Sequence, residues 1–181
     1  MSEVVLISGS PAEKSKSNAL LTMAAGWLTE KGVTAQQIGV RDFPAEDLLQ
    51  GRWDSPAFVE AKTLIAGAKG IVVATPIYKA SYSGALKTFL DILPQDAFRG
   101  KALLPLATGG SLNHLLAIDY ALKPVLCALA ATEVFQGVYV VDSQFRFSEA
   151  GAPELEAVVA DRFRDAVADL ADAVHSRRLR S

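Results

Sequence analysis

Hydrophobic positions along the chain switch between two periods. Val4–Ser8 is a short apolar run that reads as a first strand. From Ser17 to Lys31 the side chains of Leu20, Met23, Ala24, Trp27 and Leu28 fall on one helical face, and Gly32 ends that helix. Thr34–Val40 is a weaker strand, placed near a sheet edge. Asp54-Ser55-Pro56 puts an N-cap before a proline at the first helical position, opening a helix that runs to about Ala68. Ile71–Ala74 is a third, buried strand, and Ser83–Leu93 a short helix stopped by Pro94. Lys101–Ala107 is the fourth strand, in which Pro105 predicts an edge or a bulge. Asn113–Ala131 is helical, Val134–Val141 is the fifth strand, and Pro153–Arg177 is a long amphipathic last helix.

This alternation predicts an α/β fold, a parallel sheet covered by helices on both faces. Five strands favour the doubly wound, flavodoxin-like order 2-1-3-4-5 over a six-stranded dinucleotide fold. In that order the loops after strands one, three and four converge on a crevice at the switch point between strands one and three. With no linker, repeat or low-complexity stretch, one domain over residues 1–181 is the expectation.

Composition narrows the partners. Half of the 181 residues are hydrophobic and the formal net charge is −2, so the basic surplus of a nucleic-acid binder is missing. Arg177, Arg178 and Arg180 form a basic tail. It reads as a helix end that complements its own dipole and then frays, or as a contact for cofactor phosphates or a partner. The single cysteine, Cys127, excludes an intramolecular disulfide and a multi-cysteine metal site; in an apolar helix it is expected to be buried and inert. His114 and His175 lack metal-ligand spacing, so no metal is expected. The chain enters its first strand without a signal-like segment and carries no apolar stretch of membrane-spanning length, which predicts a cytoplasmic protein away from the membrane.

The candidate chemistry lies in three loops. Gly9–Asn18 lacks both G-x-G-x-x-G and the P-loop pattern, which argues against a tightly gripped dinucleotide or a nucleoside triphosphate. Ser10, Ser15, Ser17 and Asn18 can still donate to a terminal phosphate at the helix N-terminus, with Lys14 and Lys16 adding charge. The plainer alternative is that Ser17 only caps the helix. Thr75-Pro76-Ile77-Tyr78 can offer backbone N–H and C=O groups to a ring edge; Tyr78 and Tyr82 wall in a flat ring or simply pack. Lys79 adds positive charge, and Ser83 begins the next helix. Thr108-Gly109-Gly110-Ser111 lets backbone approach a ring closely, and His114 either faces that ring or caps and packs. The predicted ligand is a phosphate-bearing ring cofactor, with flavin mononucleotide (FMN) foremost. No catalytic nucleophile or general base stands out. Hydride transfer between two cofactors needs little acid–base chemistry from the protein, which fits a flavin reductase and equally a binding module.

Longer motifs add a resemblance. They are Gly9-Ser10-Pro11, Asp54-Ser55-Pro56-Ala57, Ala74 to Thr88, Leu104 to Gly110, and His114-Leu115-Leu116-Ala117-Ile118-Asp119-Tyr120-Ala121-Leu122-Lys123-Pro124-Val125-Leu126. Over about residues 3–143 the chain resembles the NADPH-dependent FMN reductases of alkanesulfonate-utilisation systems. The resemblance implies a homotetramer built as a dimer of dimers. It implies FMN used as an exchangeable substrate, reduced by NADPH and passed to a separate monooxygenase that releases sulfite from sulfonates. It also implies a π-bulge at the tetramer interface, carried by the motif at Tyr120, with a role in flavin exchange. The residues themselves point part of the way. His114 to Ala131 is apolar nearly all round, so it is deeply buried or an interface, and Pro124 favours an irregular turn. One departure concerns the first loop, where many such reductases carry arginine and this chain has only Lys14 and Lys16. A flavodoxin-like electron carrier with tightly held FMN, or a quinone or azo reductase, is the alternative.

Overall fold

The computed structural model describes residues 2–179. Strand β1 (Val4–Ser8) leads to helix α1 (Lys16–Glu30), then β2 (Ala35–Gly39), a short α2 (Ala45–Gln50) and α3 (Pro56–Gly67). β3 (Gly70–Tyr78) turns back into a two-residue β4 (Ser81–Tyr82) before α4 (Gly84–Asp91). β5 (Ala102–Gly109) is followed by a 3₁₀ turn (Leu112–His114), a π turn (Ile118–Leu122) and α5 (Lys123–Ala128). Then come β6 (Glu133–Val134), β7 (Val138–Val141), a hairpin of β8 (Phe145–Phe147) and β9 (Pro153–Leu155), and α6 (Ala157–Arg178).

The parallel strands lie in the order β2-β1-β3-β5, with β6 and β7 sharing the last position. Counting only the long parallel strands, this is the 2-1-3-4-5 order of the flavodoxin-like fold; β4 is a small antiparallel addition to β3. The continuous apolar runs explain which strands are central. β1 and β5 are buried along their whole length, and β3 is buried through Thr75. β2, with Gln36 and Gln37 exposed, is the edge. Helices α1 and α6 cover one face with Leu20, Leu28, Phe163, Val167 and Leu170. The other face is filled by Phe43, Phe58, Ile65, Phe89 and Leu126. Phe43 stacks on Phe58 at 4.5 Å and lies 5.2 Å from Phe89, so this second core closes with aromatic layers.

Several elements differ from the sequence expectation, each for a local reason. The fifth strand is broken in two. Leu103 pairs with Val134, but Leu106 pairs with Val138, so the outer strand has one extra residue between the two pairs. Pro105 faces that bulge with no N–H to donate, which is how a proline is tolerated in a strand paired on both sides. Thr75–Tyr78, read as loop, continues β3 because β5 and β4 pair with it. Asn113–Ala131 is a 3₁₀ turn, a π turn and a short α-helix rather than one helix. Its buried stripe is Ile118, Leu122, Leu126 and Leu129; Cys127 falls off this stripe and is exposed, not buried. Pro153 belongs to β9, so the last helix begins only at Ala157. Ser55 occupies the N-cap of α3, yet its hydroxyl makes no cap bond. The basic tail does not fray through Arg178. Arg177 donates to the Gly100 carbonyl at 3.0 Å and pairs with Glu133, while Arg178 pairs with Glu3 and reaches the Gly32 carbonyl at 2.8 Å. Hydrogen bonding from Arg178 holds the Glu3 carboxyl below its ordinary value. These partners sit at the end of the sheet away from the crevice, and Arg180 lies outside the described residues.

Gly137 stands where the bulge meets the π turn. A Cβ there would lie 2.7 Å from the Pro105 carbonyl oxygen and 2.7 Å from Ile118 Cγ2. Gly137→Ala should therefore destabilise the fold by about 1–3 kcal/mol through overpacking. Chemical denaturation checks this, and an unchanged midpoint would refute the packing assignment.

Candidate functional site

The loops that follow β1, β3 and β5 lie side by side at the C-terminal ends of adjacent strands, where open α/β sheets bind ligands, and they bound the candidate crevice. Its first wall is the β1–α1 loop, organised by its own hydroxyls. Ser15 caps α1 by accepting from the Asn18 N–H at 3.5 Å, and its hydroxyl lies 2.8 Å from that of Ser17. The Ser8 hydroxyl donates to Asn18 Oδ1 and accepts from the Ser10 N–H at 3.4 Å. The Ser10 hydroxyl accepts from the Ala12 N–H at 3.2 Å. Ser10 and Ser17 are buried, while Ser15 and Asn18 are half-buried.

The lysines behave differently from this set. Lys14 is exposed, and Lys16 turns away to Asp142, with Nζ 2.8 Å from the carboxylate. A third cation comes from elsewhere in the chain: Arg41, just beyond β2, donates to the Pro11 carbonyl at 3.0 Å. The loop thus has an arginine beside it, though not one of its own residues.

A buried set of hydrogen bonds joins this loop to the second wall. The Gly9 N–H donates to the Ala74 carbonyl at 2.7 Å, and the Ser83 hydroxyl donates to the Gly9 carbonyl. The same Ser83 oxygen accepts from the Leu86 N–H at 3.0 Å, capping α4, while the Ser83 N–H donates to Thr75 Oγ1 at 3.0 Å. The Ser83 hydroxyl both donates and accepts within the protein, so it is a joint between the loops rather than a ligand facing the crevice. Gly9 has to be glycine, because a Cβ would lie 2.8 Å from Leu86 Cβ and 3.2 Å from the Ala74 carbonyl oxygen.

The second wall is the β3–β4 hairpin. Pro76 stands opposite Thr108 in the sheet, and Ile77 and Tyr78 pair with Tyr82 and Ser81. The two-residue turn Lys79-Ala80 has φ of 50° and 64°, the left-handed conformation that glycine and asparagine normally supply. Holding two ordinary residues there costs on the order of 1 kcal/mol each. Tyr78 and Lys79 are exposed at the tip; Tyr82 is half-buried, and burial pushes its phenol up.

The third wall is Thr108–Ser111. A Cβ on Gly109 would collide with the Tyr139 hydroxyl and lie 3.5 Å from Ile77 Cβ, so this glycine lets β3, β5 and β7 close together. Tyr139 donates to the Ser111 carbonyl at 2.8 Å and fixes the loop. Burial, and then the nearby Asp142 charge, raise the Tyr139 phenol. Gly110 is exposed, and Thr108 is buried beneath it. His114 is exposed on its 3₁₀ turn.

The structure therefore brings Ser10, Ser15, Ser17, Asn18, Pro76, Ile77, Tyr78, Gly109, Gly110 and Ser111 to the same end of the sheet, places Lys79 and His114 on exposed turns, and engages Lys16 and Ser83 with partners elsewhere in the fold. Sequence reasoning missed Ser8, Arg41, Tyr139 and Asp142, and did not foresee that the Thr75 hydroxyl is held by the Ser83 N–H. Asp142 had a usable signal, since it directly follows a strand at the ligand-binding end of the sheet. Beyond the crevice, Leu112, Leu115, Leu116 and Tyr120 form an exposed apolar face on and before the π turn, with Tyr120 79% exposed. Among the described residues, no cluster of histidine, cysteine or carboxylates is suited to a metal ion, and no helix is long and apolar enough to cross a membrane.

Residues 2–146 match the profile of the family described as NADPH-dependent FMN reductase. An FMN reductase (NADPH) of Pseudomonas putida is 50% identical over 165 residues, covering 91% of this chain and 84% of that protein. Its counterpart in Escherichia coli is 51% identical over 141 residues, 78% of this chain and 74% of that one. The apo structure of an NADH:FMN oxidoreductase superposes with a TM-score of 0.85 at 42% identity, covering 94% of this chain and 89% of that one. Matched along four-fifths of its length and built on the same fold, this chain belongs to the NADPH-dependent FMN reductase family and is a flavin reductase whose substrates are NADPH and FMN.

Proposed function

We propose that FMN binds across this crevice as an exchangeable substrate, is reduced by NADPH, and leaves to serve a separate sulfonate monooxygenase in cytoplasmic sulfur acquisition. The observation that carries the reading is the joining of the first two loops into one frame through Gly9, Ala74, Thr75 and Ser83, with the third alongside where Pro76 pairs with Thr108. The donor set suits the ligand. Ser10, Ser15, Ser17 and Asn18, together with the N-terminus of α1, offer hydroxyl, amide and dipole to a phosphate. Pro76–Tyr78 and Gly109–Ser111, adjacent in the sheet, would offer backbone groups to a flat ring. Lys79 and His114, both exposed, would add charge and hydrogen-bonding capacity near the ring. When bound, the flavin supplies the hydride-accepting ring; the residues of this chain hold, orient and shield it.

Exchange is supported by the openness of the outer wall, where Tyr78, Lys79, Ala80 and Gly110 are all exposed. The handover to a sulfonate monooxygenase rests on the motif resemblance from Ala74 to Thr88 and through Tyr120. The homotetramer rests on that resemblance and on the apolar face of Leu112, Leu115, Leu116 and Tyr120, which one protomer leaves uncovered.

Purified protein should oxidise NADPH only after flavin is added and should carry no stoichiometric flavin of its own. Steady-state rates with FMN, FAD and riboflavin, plus an absorbance spectrum, test this. Retained flavin, or quinone turnover outpacing FMN turnover, would favour the carrier or quinone-reductase reading. Gly109→Ala should weaken FMN binding tenfold or more, about 1.4 kcal/mol, because the Tyr139–Ser111 bond beside the proposed ring site is displaced. Unaltered flavin affinity, measured by fluorescence quenching, would place the ring elsewhere. Tyr120→Ala should lower the oligomeric state seen by light scattering or change flavin retention; if mass, flavin retention and rate all stay at wild-type values, the interface role is wrong.

A further inference from the structure

Lys16 begins α1, beside the hydroxyls assigned to the phosphate, yet its ammonium is already engaged. Nζ lies 2.8 Å from Asp142 Oδ1 and 3.5 Å from the Asp142 backbone oxygen, with the Phe145 ring centroid 6.0 Å away. Asp142 comes from the opposite wall, as the first residue beyond β7. Its backbone is pinned: the Phe145 N–H donates to the Asp142 carbonyl, and the preceding Val141 N–H donates to Gln144 Oε1 at 3.1 Å. The other carboxylate oxygen is 4.0 Å from where a Cβ of Gly110 would stand. One carboxylate thus reaches both the start of α1 and the loop after β5, the two regions assigned to the phosphate and the ring.

We propose that Asp142 competes with the flavin phosphate for Lys16, loosening the phosphate grip and setting how readily FMN leaves. This rests on the reading that the phosphate binds in the Ser10–Asn18 loop. The chemistry is a choice between two anions for one cation. Both partners are partly exposed, with side-chain accessibilities of 33% and 52%, so the pair is weak enough for a dianionic phosphate to displace. Lysine suits the role because its ammonium is a point charge on a flexible stem and can move between oxygens, whereas arginine would lock to one of them. While Lys16 stays with Asp142, the phosphate is held by hydroxyls and the helix terminus alone. When the phosphate draws Lys16 over, the Asp142 carboxylate is left without that partner beside a second anion. Asp142 is therefore a positioning residue: it acts through Lys16 and not on the reacting ring.

The test is a comparison of FMN with riboflavin, which carries the same ring and no phosphate. Dissociation constants and release rates are measured at low salt for wild type, Asp142→Asn, Lys16→Gln and the double variant. Asp142→Asn should tighten FMN by about threefold, slow its release in proportion, and leave riboflavin unchanged. In the Lys16→Gln background the same substitution should no longer tighten FMN. Asp142→Ser is the second variant, removing the charge with a smaller side chain. Weaker FMN binding, or equal shifts for FMN and riboflavin, would overturn the competition and leave Asp142 as a structural support. A wild type that prefers FMN to riboflavin, with Asp142→Asn indistinguishable from it, would also overturn the competition but leave the phosphate loop in place. A wild type that binds riboflavin as tightly as FMN would remove the phosphate-loop reading itself, and the competition with it.

Discussion

The Ser83 hydroxyl is the joint on which the site depends. It donates to the Gly9 carbonyl at the end of β1 and accepts from the Leu86 N–H at the start of α4, so one buried oxygen serves two backbones. A buried polar group left without partners is costly, so losing either contact would unsettle both walls. The close approach requires glycine at position 9, because Leu86 and the Ala74 carbonyl occupy the space a side chain would need. The first loop is thereby held against β3 by bonds of the protein itself. The loop's own hydroxyls, on Ser10, Ser15 and Ser17, then shape the proposed phosphate site.

A second constraint runs along the other side of the sheet. Pro105 cannot complete a ladder toward the last strand, and the extra residue between Val134 and Val138 absorbs the mismatch. The kink brings Gly137 against Ile118, the first residue of the π turn. β4, from the hairpin that walls the crevice, packs on that same turn. The exposed face at Leu116 and Tyr120 is therefore coupled by direct packing to the ring-binding side. In the proposed assembly, a partner covering this face would press on the hairpin.

How much of this was legible in the residues depended on the range of the interactions. The order of long strands and the three convergent loops followed from apolar periodicity and from the handedness of strand–helix–strand units. Glycine at 109 and 110 was visible as a sign of close approach, although not that Tyr139 is what approaches. The destination of Lys16 was not readable, since its partner lies 126 residues further along the chain. Arg41 was missed for the same reason, because it reaches the first loop across the top of β1 and β2. Cys127 was misplaced because an apolar segment hides which side faces inward once a π turn interrupts the period.

By itself the sequence determined the layers, the strand order and the family, because burial patterns and long motifs are written in consecutive residues. It also determined that three polar loops gather at one end of the sheet. Only the tertiary structure decided which polar groups stay free for a ligand and which are spent on one another. Ser83 and Lys16 look like ligands in the chain; in the fold, Ser83 is a joint and Lys16 is held by Asp142. The physical reason is that hydrogen bonds and ion pairs are settled by distance in space, and residues far apart in sequence meet only when the sheet brings their loops together.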